Sequence, residues 1–228
     1  MLFRSTSADA GICGATVVLG SPVTADNCEV ADVTNDATGS FPVGQSFVTW
    51  TVTDIYGNTA SAIQTITVAD DVAPTITAPA DISASADAGL CQSSNVDLGS
   101  PVTDDNCAVD NVENDSQGFY TVGDNTVTWT VTDIYGNTAT AVQIVTITDD
   151  EAPSIEAPTA VQVSADANAC QATSVDIGTA SVSDNCAVDS VSNDAPATFP
   201  IGTTTVTWTV IDIHGNSAQT TQDVTVVD

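Results

Sequence analysis

The chain has 228 residues, of which one is Arg, none is Lys and 30 are Asp or Glu, for a formal net charge of -29. This balance excludes nucleic-acid binding and binding to anionic lipid head groups, because both depend on basic side chains. It also excludes a P-loop or a Schiff-base lysine, and a single histidine disfavours a zinc centre.

The composition nevertheless predicts a folded chain. Hydrophobic residues make up 42% and charged residues 14%, and the β-branched residues that abound here are scarce in disordered acidic segments. No run of 18 apolar residues occurs, and the first residues lack the apolar core of a signal peptide. We therefore expect no membrane insertion and no signal peptide within this chain.

A repeat of 79 residues organises the chain. Its landmarks are Trp50, Trp129 and Trp208, the D-N-C triplets that begin at Asp26, Asp105 and Asp184, and the D-I-x-G-N segments that begin at Asp54, Asp133 and Asp212. The predicted domains are repeat one (1–70), repeat two (71–149) and repeat three (150–228). Repeat one is nine residues short, one of them between Cys13 and Cys28 and eight at its start.

Each repeat is predicted to consist of short strands joined by turns. In repeat two, ITAP, SNVDLG, VDNVEN and GFYTVG are strand candidates between turn clusters. Thr126–Asp133 then alternates polar and apolar residues, as a half-buried strand does. The D-I-Y-G-N turn, in which Gly136 can take a positive φ, joins it to a second strand over 138–148. Many short strands with regular turns predict an all-β fold of β-sandwich domains, and three in tandem predict an elongated rod.

One polar residue interrupts the apolar face of the strand after each D-I-x-G-N turn. These residues are Gln64, Gln143 and Gln222. One interpretation is a glutamine near the sandwich edge that hydrogen-bonds to the backbone, and the other is a lateral contact between chains.

Six cysteines recur as one pair in each repeat. The pairs are Cys13 with Cys28, Cys91 with Cys107 and Cys170 with Cys186. An even number at a repeating spacing predicts one disulfide in each repeat, and buried free thiols are the alternative. A zinc site is disfavoured, because two thiolates with no histidine nearby are half a site. Disulfides place the protein in an oxidising compartment outside the cytosol.

The recurring residues resemble the hyalin repeat (HYR), an immunoglobulin-like module of extracellular and cell-surface proteins. Their order is D-x-A-P-x-I-x-A-P, A-D-A-G-x-C, D-N-C, F-P-x-G-x-x-x-V-T-W and D-I-x-G-N, and the resemblance covers nearly the whole chain. It implies three tandem immunoglobulin-like domains. In bacteria such repeats occur in long surface adhesins and secreted fibrous proteins, so the resemblance also implies an extracellular or cell-surface location and a bacterial source.

Acidic residues are expected to converge at the two junctions between repeats. In an immunoglobulin-like unit, the loop after the second strand and the loop of the last hairpin lie at the pole where the chain enters, and the linker arrives beside them. The predicted ligands are Asp70, Asp71, Asp104, Asp105 and Asp133 at the first junction, and Asp149, Asp150, Glu151, Asp184 and Asp212 at the second. Several carboxylates with no lysine to balance them suit Ca²⁺, which takes six to eight oxygens. The alternative is that these residues serve turns through Asx hydrogen bonds.

Repeat one lacks the D-x-A-P-x-I-x-A-P segment found at Asp71–Pro79 and Asp150–Pro158, and its first strand is therefore missing or replaced. Arg4 stands where the other repeats carry a core Ile or Val. An unpaired sheet edge invites the strand of another chain. Two explanations stay open: the chain is an excerpt of a longer protein, or the strand is donated in trans to give a filament.

The sequence thus predicts an extracellular structural or adhesive segment of a cell-surface fibre or adhesin stalk, with calcium-stiffened junctions. Its partners would be further repeats or copies of itself in a fibre, with a surface glycan or protein as ligand. No catalytic constellation recurs, so an enzyme is not expected. The alternative function is a carbohydrate- or ligand-binding accessory module. Tyr56 and Tyr135 suit sugar stacking, but His214 takes the third position, so no aromatic platform recurs.

Overall fold

The structure is a computed structural model that describes residues 2–228, with side chains from residue 4 onward. Within this range the regular elements are strands, and the predicted all-β fold class is confirmed. The described residues include no helix of the length and apolarity needed to cross a bilayer.

The strands follow the sequence repeat. Repeat one contains β1 (Leu2–Ser7), β2 (Gly14–Thr16), β3 (Val30–Asn35), β4 (Ser40–Pro42), β5 (Gly44–Asp54) and β6 (Thr59–Ala69). Repeat two contains β7 (Thr75–Thr77), β8 (Ile82–Ser85), β9 (Gln92–Ser93), β10 (Val102–Asp104), β11 (Val109–Asn114), β12 (Tyr120–Thr121), β13 (Gly123–Asp133) and β14 (Thr138–Thr148). Repeat three contains β15 (Ser154–Glu156), β16 (Val161–Ser164), β17 (Gln171–Thr173), β18 (Ser181–Ser183), β19 (Val188–Asn193), β20 (Thr198–Pro200), β21 (Gly202–Asp212) and β22 (Ser217–Val227).

The predicted alternating strand lies within β13. Val127, Trp129 and Val131 are at most 6% exposed, which matches the expected inward-facing positions. The D-I-Y-G-N turn follows directly, and Gly136 takes a φ of 91°, a value that favours glycine. The hairpin over β13 and β14 is therefore where the alternation and the turn predicted it.

In repeats one and three the long hairpin is the centre of a four-stranded sheet. The strand orders are β1-β6-β5-β3 and β16-β22-β21-β19. The edge strands β1 and β16 run parallel to their neighbours, with Arg4 opposite Ile66 and Val161 opposite Val224. Repeat one therefore keeps this edge strand, and Arg4 remains exposed there and donates a hydrogen bond to the Val18 carbonyl.

Short strand pairs form a second layer against these sheets. In repeat three, β15 pairs with β18 and β17 with β20. Residues of both layers share one apolar core, because Ala172 and Phe199 pack with Trp208, Val224 and Val226. The two layers around a common core are a β-sandwich. Among the described residues, repeat one has the β2–β4 pair but no counterpart of the β7–β10 and β15–β18 pairs.

The chain divides into two compact units that do not coincide with the sequence repeats. The first comprises the residues up to Ala80, Gly99–Asp115 and Val127–Gln143, and the second comprises Asp81–Leu98, Ser116–Thr126 and Ile144–Asp228. Each unit combines one terminal repeat with part of repeat two. The domain boundaries at 70/71 and 149/150 stay predictions.

The recurring glutamine is a core residue. Gln222 is 3% exposed, and its side-chain oxygen accepts a hydrogen bond from the Trp208 indole at 3.1 Å. Its amide nitrogen donates to the carbonyls of Thr159 at 2.9 Å and Ile177 at 3.0 Å. The predicted backbone hydrogen bond is confirmed, but the position is buried rather than at an edge. The glutamine is tolerated there because its polar atoms all have partners.

We predict that Gln222→Ala lowers the free energy of unfolding by about 3 kcal/mol, since it leaves the Trp208 indole and two carbonyls unpaired in the core. Urea denaturation followed by circular dichroism measures the loss. Gln219→Ala on the same strand is the control. Gln219 is exposed and bonded to Thr209, so a change within about 0.5 kcal/mol is expected. Equal losses in the two variants would contradict the assignment.

Candidate metal centre at the repeat junctions

The disulfides cross the junctions. The structure pairs Cys13 with Cys107 and Cys91 with Cys186, with Cα–Cα distances of 4.5 and 4.7 Å. Cys28 and Cys170 are free and exposed. The prediction of one disulfide within each repeat, Cys13 with Cys28, Cys91 with Cys107 and Cys170 with Cys186, was therefore wrong. The repeat period shows that each repeat has one early cysteine and one cysteine in its D-N-C triplet. It does not show whether the early cysteine bonds to the triplet of its own repeat or to that of the next repeat.

Crossing a junction also makes each disulfide close a longer loop. The bonded residues are 94 and 95 positions apart. In the chain-entropy picture such a loop stabilises the fold by about 4 to 5 kcal/mol, against about 3 kcal/mol for a loop of roughly 15 residues. Each bond therefore fastens two repeats together and restrains the unfolded chain more strongly than the predicted pairing would.

Each disulfide joins two loops that are themselves shaped by an aspartate. Asp87 accepts hydrogen bonds from the backbone and side chain of Ser94, which holds the loop that carries Cys91. These bonds lower the pKa of Asp87, with the Ser94 hydroxyl as the main cause. On the other side, Asp184 accepts from the backbone N–H groups of Cys186 and Ala187 at 2.8 and 2.9 Å.

Three predicted ligands converge at the first junction. Asp70 comes from the linker, Asp105 from the D-N-C loop and Asp133 from the hairpin turn. One carboxylate oxygen of each lies within 4.8 Å of the others, and we call these three residues the first acid cluster. Asp70 is 9% exposed and Asp133 is 1% exposed, so their charges are largely withdrawn from water.

Several oxygens at this cluster are buried without a partner. The Oδ2 atom of Asp70, the Oδ1 atom of Asp105 and the Oδ1 atom of Asn106 have no hydrogen-bond partner among the described residues. An unpaired buried oxygen costs free energy, and a charged one costs more. Asn106 is held in place by its amide nitrogen, which donates to Asp70 Oδ1 at 3.2 Å.

Asp133 belongs to the first acid cluster and also shapes the hairpin turn through its hydrogen bonds. Its Oδ1 accepts from the backbone of Tyr135 and Asn137, and its Oδ2 accepts from the Asn137 side chain at 2.7 Å. Burial alone would raise the pKa of Asp133, but the hydrogen bonds from Asn137, Tyr135 and Gly136 outweigh it and lower the pKa. The same balance lowers the pKa of Asp212. Both carboxylates are therefore ionised at neutral pH.

A second acid cluster has the same construction. Asp149, Asp184 and Asp212 bring carboxylate oxygens within 4.8 Å, and the Oδ1 atoms of Asp184 and Asn185 are buried without a partner among the described residues. One contact differs from the first cluster, because His214 Nδ1 lies 3.0 Å from Asp149 Oδ2. The oxygen that is unpaired in Asp70 is thus hydrogen-bonded in Asp149.

The other predicted ligands lie outside these clusters and bind the preceding loop or solvent. Asp71 accepts from Ser7 at 2.8 Å, and Asp150 accepts from Ser85 at 2.7 Å. Glu151 accepts from the Gly89 backbone at 2.7 Å, and Asp104 is exposed on β10. Asp71, Asp150 and Glu151 therefore tie each linker to the repeat before it rather than to the acid cluster.

Sequence reasoning missed the asparagines and His214. Asn137 Nδ2 donates to the Asp70 carbonyl at 3.2 Å, and Asn216 Nδ2 donates to the Asp149 carbonyl at 2.9 Å. Asn185 similarly bonds to the Leu90 carbonyl at 3.2 Å, beside Cys91. All these asparagines recur in the D-N-C and D-I-x-G-N segments, so the repeat itself was the signal that could have found them.

The clusters have the chemistry of a site for a hard divalent cation. Each offers three carboxylates and an asparagine carbonyl, all oxygen donors from three separate segments. Two carboxylates about 4 Å apart near a protein surface repel by roughly 4 kcal/mol, and the chain has one Arg and no Lys to offset this. Such a donor set fits Ca²⁺, which accepts irregular oxygen coordination, better than Mg²⁺, which retains several waters.

Comparison with known proteins finds a family match in the last third of the chain. Residues 148–226 match the family profile described as HYR domain. The resemblance to the hyalin repeat is thereby confirmed for these residues, which include Asp149, Asp184 and Asp212 of the second acid cluster.

Two hyalins are similar to this chain over nearly its whole length. Hyalin of Strongylocentrotus purpuratus is 32% identical over 230 residues, which cover 95% of this chain and 19% of that protein. Hyalin of Lytechinus variegatus is 31% identical over 228 residues, which cover 92% of this chain and 42% of that protein. The chain thus spans less than half the length of each relative.

The solved structures that the chain matches share little sequence with it. The protocadherin gammaB7 EC3-6 cis-dimer has a TM-score of 0.40 and 15% identity, and the match covers all of this chain and 72% of that one. Sidekick-1 immunoglobulin domains 1-4 have a TM-score of 0.39 and 12% identity, and the match covers all of this chain and 74% of that one.

We predict that non-reducing peptide mapping links the Cys13 peptide to the Cys107 peptide and the Cys91 peptide to the Cys186 peptide. Cys28 and Cys170 should react with an alkylating reagent before reduction. Cleavage at Asp residues suits the experiment, because trypsin has one Arg and no Lys to cut. A reduced sample is the control, and a Cys13–Cys28 or Cys170–Cys186 link would contradict the cross-junction pairing.

Proposed function

We propose that this chain is a non-catalytic extracellular segment of an adhesive or structural fibre, in which Ca²⁺ binds at each repeat junction. The observation that carries the proposal is the set of buried, unpaired oxygens within each acid cluster. Asp70, Asp105 and Asn106 present such oxygens at the first junction, and Asp184 and Asn185 do so at the second. A cation is the partner that such a set requires, since the chain has no lysine.

The location follows from the cysteine chemistry and the family. Two disulfides lie among the described residues, and such bonds persist in oxidising compartments. The match to the HYR domain and the similarity to hyalins support an extracellular adhesion repeat. Further repeats or copies of the chain are the proposed partners, and the elongated rod and the carbohydrate-binding alternative stay predictions.

In the proposed mechanism, the cation links the segments of each junction in addition to the disulfide and the asparagine hydrogen bonds. The disulfide already holds the D-N-C loop against the preceding repeat, and hydrogen bonds from Asn106 and Asn137 to Asp70 hold this loop and the hairpin turn against the linker. Calcium at the first acid cluster would neutralise the mutual repulsion of Asp70, Asp105 and Asp133 and fix the angle between repeats. Without it, the repulsion favours a looser linker.

We predict that the chain binds two Ca²⁺ ions, and that each ion raises the stability of the unit that holds it by about 2.7 kcal/mol at 100 times its dissociation constant. Isothermal titration calorimetry and melting curves with and without a chelator measure both effects. The double variant Asp70→Asn/Asp149→Asn should lose both effects, because it removes the linker ligand from each cluster.

The matched control is Asp71→Asn/Asp150→Asn. It makes the same change of charge one residue further along each linker, at side chains that bind Ser7 and Ser85 instead of the clusters. Calcium binding should persist in this variant. Absence of binding to the unmodified chain, or the same loss in both double variants, would overturn the proposed sites.

We further predict that the two sites differ in affinity because of His214. The imidazole occupies Asp149 Oδ2, whereas Asp70 Oδ2 is unpaired, so calcium must displace one hydrogen bond at the second site only. His214→Tyr restores the residue found in repeats one and two and should tighten the weaker site about fivefold. A two-site calorimetric fit measures this change, and an unchanged weaker constant would contradict the role of His214.

A further inference from the structure

The single histidine of the chain lies beside the second acid cluster. The Nδ1 atom of His214 is 3.0 Å from Oδ2 of Asp149. The side chain of Asp149 is fully buried, whereas 28% of the His214 side chain is exposed. The imidazole thus brings a nitrogen atom to a carboxylate that is withdrawn from water.

A cavity of about 460 Å³ borders this pair. Its lining includes Asp149, His214 and Asn216, together with residues 122–123 from the start of β13 and its approach. The cavity gives an ion a route from solvent to the carboxylate and the imidazole. No strand of the sandwich has to move for the ion to enter.

The first acid cluster has no such nitrogen among the described residues. Tyr135 stands at the position that corresponds to His214, 79 residues earlier, and the ligand groups that converge there are the carboxylates of Asp70, Asp105 and Asp133. The two clusters therefore differ in one donor, an imidazole at the second cluster only.

The separation of the nitrogen and the oxygen suits a shared metal ion. Two ligand atoms that each lie about 2.1 Å from one ion are about 3.0 to 3.4 Å apart, and His214 Nδ1 and Asp149 Oδ2 are 3.0 Å apart. While no ion is bound, Nδ1 can donate its proton to the carboxylate. With the proton on Nε2 instead, Nδ1 presents a lone pair to an ion.

Two further oxygens at the cluster need a partner, and this observation does not depend on His214. The Oδ1 atoms of Asp184 and Asn185 are buried without a hydrogen-bond partner among the described residues. A carboxylate oxygen of Asp184 also lies within 4.8 Å of one from Asp149. Buried oxygens of this kind are costly unless they are paired. The second cluster therefore offers one nitrogen and several oxygens to a cation.

We propose that the second acid cluster binds a transition-metal ion of the Zn²⁺ class through His214 Nδ1 and Asp149, whereas the first acid cluster favours Ca²⁺. Imidazole suits Zn²⁺ and its neighbours in the first transition row, while Ca²⁺ takes oxygen ligands. His214 is thus a ligand for Zn²⁺ and a competitor of Ca²⁺ for Asp149. This inference rests on the proposed function, because it names a second class of ion for the same site.

Calorimetric titration of the tag-free chain with Zn²⁺, at one fixed pH, tests the proposal. His214→Tyr should weaken the tightest Zn²⁺ site at least about tenfold, although the same variant should tighten Ca²⁺ binding. Distortion of the junction would weaken both ions, so the opposite signs identify the imidazole as a ligand. Unchanged Zn²⁺ binding in His214→Tyr would overturn the proposal.

Tyr135 provides both the matched control and the reciprocal variant. Tyr135→Phe should leave Zn²⁺ binding unchanged, and a loss equal to that of His214→Tyr would contradict the assignment. Tyr135→His places an imidazole at the first acid cluster, where the fold can accept it because Tyr135 is 46% exposed. It should tighten Zn²⁺ binding at the first acid cluster at least about tenfold, and no gain would contradict the role of the imidazole.

Nitrogen NMR of the imidazole locates the ion, because the chain has one histidine. Zn²⁺ should move the Nδ1 resonance of His214 to that of a metal-bound nitrogen and leave the proton on Nε2. Ca²⁺ should release the ring from Asp149 without a metal-bound nitrogen. Imidazole resonances that stay unchanged while Zn²⁺ binds would place the ion elsewhere and overturn the proposal.

This inference and the calcium sites fail separately. Ca²⁺ binding at both junctions, with Zn²⁺ binding that does not depend on His214, would overturn the inference and leave the calcium sites intact. Zn²⁺ binding that depends on His214, in a chain that does not bind Ca²⁺, would support the inference and overturn the calcium sites.

Discussion

The mutual repulsion of buried carboxylates at each junction is the constraint on which the rest of the arrangement depends. Asp70, Asp105 and Asp133 lie within 4.8 Å, and two of them are at least nine-tenths buried. Such a cluster is unfavourable unless other contacts hold its three segments together. The bonds from Asn106 and Asn137 to Asp70 do so, and the disulfide from Cys13 to Cys107 anchors the D-N-C loop to the repeat before it. These contacts hold the carboxylate oxygens close together despite their repulsion.

Each junction is formed by residues from two successive repeats. One repeat provides a cysteine loop and a linker acid, and the next provides the D-N-C loop and the hairpin turn. The second junction repeats the plan with Cys91, Cys186 and Asp149, with the addition of His214. A tandem array built in this way stabilises each repeat through its neighbours, as in other repeat proteins. Variation at one position, such as His214 for tyrosine, can therefore tune a single junction.

A hydrogen-bonded pair of tryptophan and glutamine recurs inside the apolar core of the sandwiches. Trp208 and Gln222 bond to each other, and the glutamine satisfies two further carbonyls. The same pair joins Trp50 to Gln64 in repeat one at 2.9 Å.

The sequence by itself determined the local features that recur in every repeat. The 79-residue period, the alternating strand before the D-I-x-G-N turn and the position of acids in three loops are all visible in it, because side-chain period and turn chemistry act over a few residues. Six of the ten predicted ligands lie in the two acid clusters: Asp70, Asp105, Asp133, Asp149, Asp184 and Asp212. Only the tertiary structure decided which repeat supplies each partner. A period records the position of Cys91 within its repeat but not whether Cys107 or Cys186 lies beside it, since that choice depends on how the chain enters the next repeat. The burial of Gln222 and the contact of His214 with Asp149 depend on the same long-range packing.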